Sequence, residues 1–422
     1  MKTISLFILI PLCLSFNSYS IIVKQNPLAH TFFTGAFNAP PKTLLTQKNI
    51  NEIAEAGIDV IVTGGDSECP KSILSLMNFA DKAGVKVIPI DYRWIKTIEK
   101  PTQKTVAAII KKIVKDYSNH PALIAYGVYD EPAAGLFPIL STYTKEFERN
   151  DSAHPPLINL LPSYGSPIQL GASNFREYIR KYIKIVNPLV LSYDYYPFRD
   201  GATLFEGWHN DLKIVREESR NANIPFWIFV QSEGIKGGLK VPTREEIFWQ
   251  ATTALAYGAR GILWFCYWTP PYEAESKMPE KHYSAMIDIN GKRTPIYSYV
   301  KEINLFLQKT GRQLADWDNK YVTRYKNGKL ISKEISPVGN IKGKNFDLVI
   351  GSFTKNKNVR VVFSNDSCSK KALFEFVPIK TFEFVKKIGE CNSKIITKMK
   401  SLKFEIEPGG CSVIEYSTKN VN

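Results

Sequence analysis

The stretch AYGARGILWFCYW, residues 256–268, joins the end of a helical pattern to the start of a strand pattern, with Gly258 at the junction. The same device occurs in AEAGIDV (54–60) and DKAGVKV (81–87), where Gly57 and Gly84 hold the equivalent place. Glycine accepts the left-handed conformation that ends a helix without a Cβ penalty. Three copies of one helix-to-strand joint point to a repeated β/α unit.

Working outward from these joints, short apolar runs alternate with longer segments of helical period from His30 to about Leu314. The runs read as strands at Thr31–Phe37, Asp59–Thr63, Lys86–Ile90, Leu123–Tyr129, Leu157–Leu161, Leu189–Tyr193, Phe226–Val230 and Gly261–Phe265. Between them, sets such as Ile73, Leu76, Met77, Ala80 and Val106, Ile109, Ile110, Ile113, Val114 recur every three to four residues, one apolar stripe per helix to cover a sheet. An open doubly wound sheet is the rival layout. Neither GxGxxG nor GxxxxGK[ST] occurs, so the phosphate loops common in that class are missing, and eight units match closure. The expected fold is α/β, a (β/α)8 TIM barrel.

After Ile303, Leu305, Phe306 and Leu307 the pattern changes to short alternating runs, among them Phe346–Ile350, Val359–Phe363, Leu373–Phe376 and Ser412–Tyr416, separated by Gly, Asn, Asp, Ser and Lys turns. That is the signature of an antiparallel β-sandwich. The expected organisation is a signal peptide at 1–20, a catalytic barrel at 21–318 and a β-sandwich at 319–422. Residues 1–20 carry one lysine, an apolar run from Ile4 to Phe16 and small polar residues at Ser18 and Ser20. This run is shorter than the roughly 20 residues of a bilayer span. The chain is therefore expected to be secreted or periplasmic, without stable membrane insertion.

The net charge is +15 in 422 residues, and no basic run interleaves with aromatics as in a nucleic-acid groove. Two readings of that charge stand: a solvated basic surface, or attraction to an anionic polymer such as a sulfated or uronate-bearing glycan. Beyond the signal lie Cys69, Cys266, Cys368, Cys391 and Cys411, an odd number with no CxxC and no metal spacing. Neither a metal nor an organic cofactor is expected.

In a barrel the chemistry sits at the carboxyl ends of the strands. Strand four runs into YGVYDEP, with Tyr129, Asp130 and Glu131; strand seven runs into WIFVQSEG, with Gln231, Ser232 and Glu233. Two carboxylates from opposite sides of one opening are the apparatus of glycoside hydrolysis. A separation of about 5 Å gives double displacement, and about 6.5–9.5 Å leaves room for water and inversion. Glu206 is a rival to Glu233, but it follows a glycine-containing loop. Strand six ends in SYDYYPF, which offers Asp194, Tyr195 and Tyr196. Strand eight offers Trp264 and, just beyond it, Trp268 as a stacking platform. His154 and His209 lie away from strand ends, and Arg93 reads as an ion-pair partner.

The motifs YDEP, SYDYYPF, QSEG and the 256–268 block resemble those of clan A glycoside hydrolases, and in particular of secreted bacterial barrel-plus-sandwich glycosidases with an Asp-Glu-Pro turn after strand four. The likeness covers about residues 30–310. It implies retention of configuration on a β-linked glycan, Glu131 as acid/base, Glu233 as nucleophile, and Tyr195 or Tyr196 as a hydrogen-bond donor to that nucleophile. Asp194 would then bind sugar hydroxyls, beside Tyr129, Gln231, Trp264 and Trp268. Many clan members carry Asn before the acid/base; Asp130 stands here, accepting but not donating unless protonated. The implied partner is an oligo- or polysaccharide. Two rival functions are a non-catalytic glycan-binding protein on a barrel scaffold, and a metal-dependent barrel hydrolase, which would need histidines at strand ends.

Overall fold

The computed structural model describes residues 26–64, 69–271, 281–332, 334, 339–378, 382–388, 395–396 and 400–418. The leader reading and Cys391 lie outside these residues. Eight parallel strands form the barrel: β1 Phe33–Phe37, β2 Val60–Val62, β3 Lys86–Ile88, β4 Tyr126–Asp130, β5 Pro156–Leu160, β6 Leu191–Asp194, β7 Phe226–Gln231 and β8 Gly261–Phe265. Their order is β3-β2-β1-β8-β7-β6-β5-β4. Parallel bridges Val87–Leu123 and Ile90–Gly127 close β3 onto β4.

The helices that follow the strands are α1 Gln47–Glu55, α2 Pro70–Ala83, α3 Gln103–Tyr117, α4 Phe137–Asn150, α5 Phe175–Val186, α6 Phe205–Asn221, α7 Arg244–Ala256 and α8 Pro295–Leu314. Side-chain caps start several of them: Thr102 and Thr105 form a capping box on α3, and Thr243 and Glu246 one on α7. Gly57, Gly84 and Gly258 have φ of 68°, 72° and 90°, the left-handed joints that the repeated motif requires.

Successive side chains of a strand point to opposite faces, and this sorts the barrel into two cores. Phe33, Val60, Val62, Ile88, Leu157, Trp227 and Leu263 fill the interior. Ile61, Val87, Ile158, Leu191, Tyr193, Ile228, Ile262 and Trp264 face the helices.

A seven-stranded sheet and a three-stranded sheet, the latter made of Gly339–Lys342, Ala372–Pro378 and Leu402–Ile406, follow the barrel. Leu348, Ile350, Val361, Phe363, Phe374, Phe376 and Phe404 pack between them. The other face of the larger sheet presents Val349, Phe353, Val362 and Val413 to the core of the barrel's helical layer. Buried Asp366 fastens the joint, accepting from His209 Nε2 and Trp249 Nε1, both at 2.8 Å, with Arg324 alongside. His209 is thus structural. Among the described residues no helix is long and apolar enough to cross a membrane.

Candidate active site

The carboxyl ends of the eight strands open into a cavity of about 310 Å³. Its lower wall is the interior apolar layer, including Val62, Ile88, Trp227 and Leu263. Asp130, Asn159, Asp194, Tyr129, Tyr196 and Phe265 rise above that layer. Phe265 stacks on Phe37 with centroids 5.9 Å apart and lies 5.2 Å from the Tyr196 ring. One wall is therefore aromatic and the facing one carries acids.

The acidic wall is built from three adjacent strands. Asn159 of β5 donates through Nδ2 to Asp130 Oδ1 and to Asp194 Oδ2, both at 3.1 Å, while Ser192 Oγ donates to Asn159 Oδ1 at 3.0 Å. Asp194 is buried, 3 % exposed. Burial first, then the charges of Glu131 and Asp130, and a carboxyl–carboxyl hydrogen bond with Glu131, hold its pKa well above the usual carboxylate range. Solvent reaches Asp130, yet the surrounding walls push its pKa up against the opposing bond from Asn159. Burial next to Asp194 raises the Tyr196 phenol as well.

Glu131 has φ of 49°, a left-handed conformation that side chains with a Cβ rarely adopt. The turn is held from both sides. Glu131 N donates to Asn159 O at 2.9 Å, and Tyr178 Oη donates to Pro132 O at 2.6 Å. Backbone conformations of this kind persist only where the surroundings enforce them, and they concentrate at functional sites.

Glu233, past the end of β7, is fully buried. Its Oε1 lies 2.7 Å from His282 Nδ1, within hydrogen-bond distance, and the Cys266 thiol donates to Oε2 at 3.2 Å. Burial, then the neighbouring Glu233 charge, pushes the Cys266 thiol well up. His282 arrives on a segment zipped to residues 234–236: Tyr283 N donates to Gly234 O at 2.7 Å and Lys236 N to Lys281 O at 3.0 Å. The Phe265–Cys266 peptide beside it is cis.

Several expected sugar contacts lie elsewhere. Strand parity turns Tyr195 outward with Leu191 and Tyr193, where it meets Trp208 at 5.8 Å and Gly207; Tyr196 is the tyrosine at the opening. Trp264 also faces outward and donates through Nε1 to Asn304 of α8 at 2.9 Å. Trp268, 3 % exposed, is covered rather than open, with Gly291 beneath its ring. Gln231 is buried and brackets loops, bonding Phe198, Lys240 and the Glu233 carbonyl. Glu206 pairs with Arg324, away from the barrel mouth. Arg93 pairs with Asp91 and Asp116. Asn159, Phe265 and His282 are the additions. Asn159 had a signal, a polar residue at an inward position of an apolar strand; His282, in a loop well past β8, had none.

No family model matches the sequence, and no curated protein matches it. Solved structures do resemble its fold. A glycoside hydrolase of family 5 from Bacteroides vulgatus superposes with a TM-score of 0.57 at 10% identity over 92% of this chain and 89% of that one. A β-galactosidase from the psychrophilic Marinomonas ef1 gives a TM-score of 0.52 at 9% identity over 68% of this chain, which spans 62% of that enzyme. At such identities the likeness shows the architecture, a (β/α)8 barrel with a β-sandwich of the kind glycosidases use.

Proposed function

We propose that this protein is a secreted or periplasmic glycoside hydrolase that cleaves a β-linked glycan by double displacement. The observation that carries the reading is Asp194, which lines a sugar-sized cavity with an aromatic wall and is hydrogen-bonded to Glu131 beside it. Two carboxyls in contact inside a walled site hold a shared proton to a higher pH than a lone carboxyl does, because both cannot ionise cheaply. That proton is what a departing glycosidic oxygen needs. Glu131, on the exposed side of the pair, is the donor, and in the second step it takes a proton from water. Asp194 stores the charge behind it, and Asn159 keeps both aspartates aligned.

Glu233 is the nucleophile in this reading, oriented by His282 and Cys266. Its burial means that attack requires the 281–283 segment to shift and uncover an oxygen. The same burial favours a second reading, in which Glu131 and Asp194 carry the chemistry and Glu233 anchors the His282 segment.

A panel of plant, algal and host glycans, incubated with the wild-type protein and with Glu131→Gln and Glu233→Ala, tests these assignments. Turnover should fall by about 10²–10⁴-fold in Glu131→Gln, and proton NMR of early products should show retained anomeric configuration. Full activity in Glu233→Ala selects the second reading. Identical products from wild type and Glu131→Gln reject both, and a protein that binds glycans without turning any over is the non-catalytic alternative.

A further inference from the structure

The hairpin formed by Phe198–Arg199 and Ala202–Thr203 follows β6 at the catalytic end of the barrel. Its backbone is pinned, since Arg199 bridges Leu239 and Asp200 N donates to Gly238 O at 3.1 Å. The Arg199 side chain extends over Tyr164, in the loop after β5, with its guanidinium carbon 4.5 Å from the ring centroid. Tyr164 is 41 % exposed. Its hydroxyl accepts from the Tyr196 backbone, and it feels the charges of both Asp194 and Glu131. Arg199 therefore stands at the rim of the carboxyl cluster.

Every other arginine of the chain donates to a carboxylate or a backbone carbonyl. Arg199 has no carboxylate within 4.0 Å among the described residues, and its Nε is buried without a hydrogen-bond partner. A guanidinium is a fixed fork that matches a planar oxyanion in two parallel bonds. Leaving that fork unfilled, with one donor already out of water, is costly unless a ligand completes it. Stacking on Tyr164 fixes its direction without neutralising it.

We propose that Arg199, backed by Tyr164, receives an acidic substituent of the substrate, the carboxylate of a uronic acid or the sulfate of a sulfated sugar. This deepens the glycosidase reading and rests on the barrel mouth being the glycan site. It also gives the +15 net charge a local counterpart, since a basic surface draws in a polymer whose acidic groups Arg199 then sorts.

The test is calorimetric titration of the full chain with sodium glucuronate, glucose 6-sulfate and glucose, for wild type, Arg199→Gln and Arg199→Lys. Wild type should bind at least one of the two anions about 10–100-fold more tightly than glucose, the range of a charge-assisted bond, and which anion wins identifies the substituent. Arg199→Gln should bring that anion down to the level of glucose. Arg199→Lys should fall between, because it keeps the charge and loses the fork. Removing Arg199 breaks no ion pair, and an unchanged unfolding midpoint checks that the fold is intact. Equal affinity for all three sugars, no binding of either anion at millimolar concentration, or a preference that survives Arg199→Gln overturns the proposal. Hydrolysis of neutral glycans without anion preference would sink this inference alone. Anion preference without turnover would sink the hydrolytic reading alone.

Discussion

Replacing Asp211 by Asn should convert a pH-dependent loss of stability into a nearly flat profile. Asp211 sits on α6 with no exposed surface; its Oδ2 accepts from Ser163 N at 2.8 Å and its Oδ1 has no partner. Burial pushes its pKa from 3.8 up to about 7, against the opposing bond from Ser163. Because the folded value lies above the unfolded one, the stabilising state is the protonated one. Stability is complete below pH 3.8 and drains away as pH rises through about 7. At about 1.4 kcal/mol per unit, the loss by pH 8 is about 4 kcal/mol, of which about 3 kcal/mol falls between pH 5 and pH 8. The amide oxygen of Asn still accepts from Ser163 and cannot ionise. Urea unfolding of both proteins at pH 5 and pH 8 should therefore show the variant gaining about 3 kcal/mol on the wild type across that interval. A gap of equal size at both pH values, or one that moves the other way, refutes the assignment. The bond concerned also holds the loop that carries Tyr164, so the experiment bears on how the rim of the barrel mouth is supported.

Tyr196→Phe should lower kcat/KM on the best glycan substrate, while Tyr195→Phe, changed on the outer face of the barrel, should leave it unaltered; the reverse pattern contradicts the strand parity. His282→Ala leaves Glu233 Oε1 buried beside a void, which should cost about 3 kcal/mol in denaturant unfolding. It should depress kcat more than KM if Glu233 reacts. Gly351→Ala would set a Cβ 2.0 Å from the Ala256 carbonyl oxygen, where the sandwich meets α7. Overpacking there should destabilise the chain by about 1–3 kcal/mol, read as a lower Tm.

The barrel was legible because its joints repeat: a glycine that ends each helix in the left-handed region is a local necessity that shows in sequence, and the structure carries it at three joints. Alternation along SYDYYPF likewise contained the answer to which tyrosine faces inward. Ser192, Asp194 and Tyr196 share one parity, and only the phase, set by Leu191 and Tyr193 packing on the helices, was missing. The direction of the strand-eight aromatics is not legible, for a different reason. Trp264 and Trp268 are large and near a strand end, but size says nothing of direction, and an outward Trp264 satisfies its indole on Asn304. Phe265, with no polar handle, turns inward instead.

His282 marks the limit of local reading, and it bears on the mechanism more than any other unexpected residue. Its pairing with Glu233 comes from tertiary structure: a returning segment zips along residues 234–236 and delivers an imidazole to a strand end 49 positions away. A carboxylate held this way is oriented but covered. A glycan that enters must either displace the imidazole or find Glu233 silent, so the protonation of His282 and the access of substrate to Glu233 are coupled. Protonation would strengthen the clamp through a charge-assisted bond. If Glu233 attacks, the first step of the double displacement should accordingly gain an alkaline limb from the loss of that clamp. The pH profile of His282→Ala would lose that limb if Glu233 is the attacking group, and would match the wild type if Glu131 and Asp194 act without it.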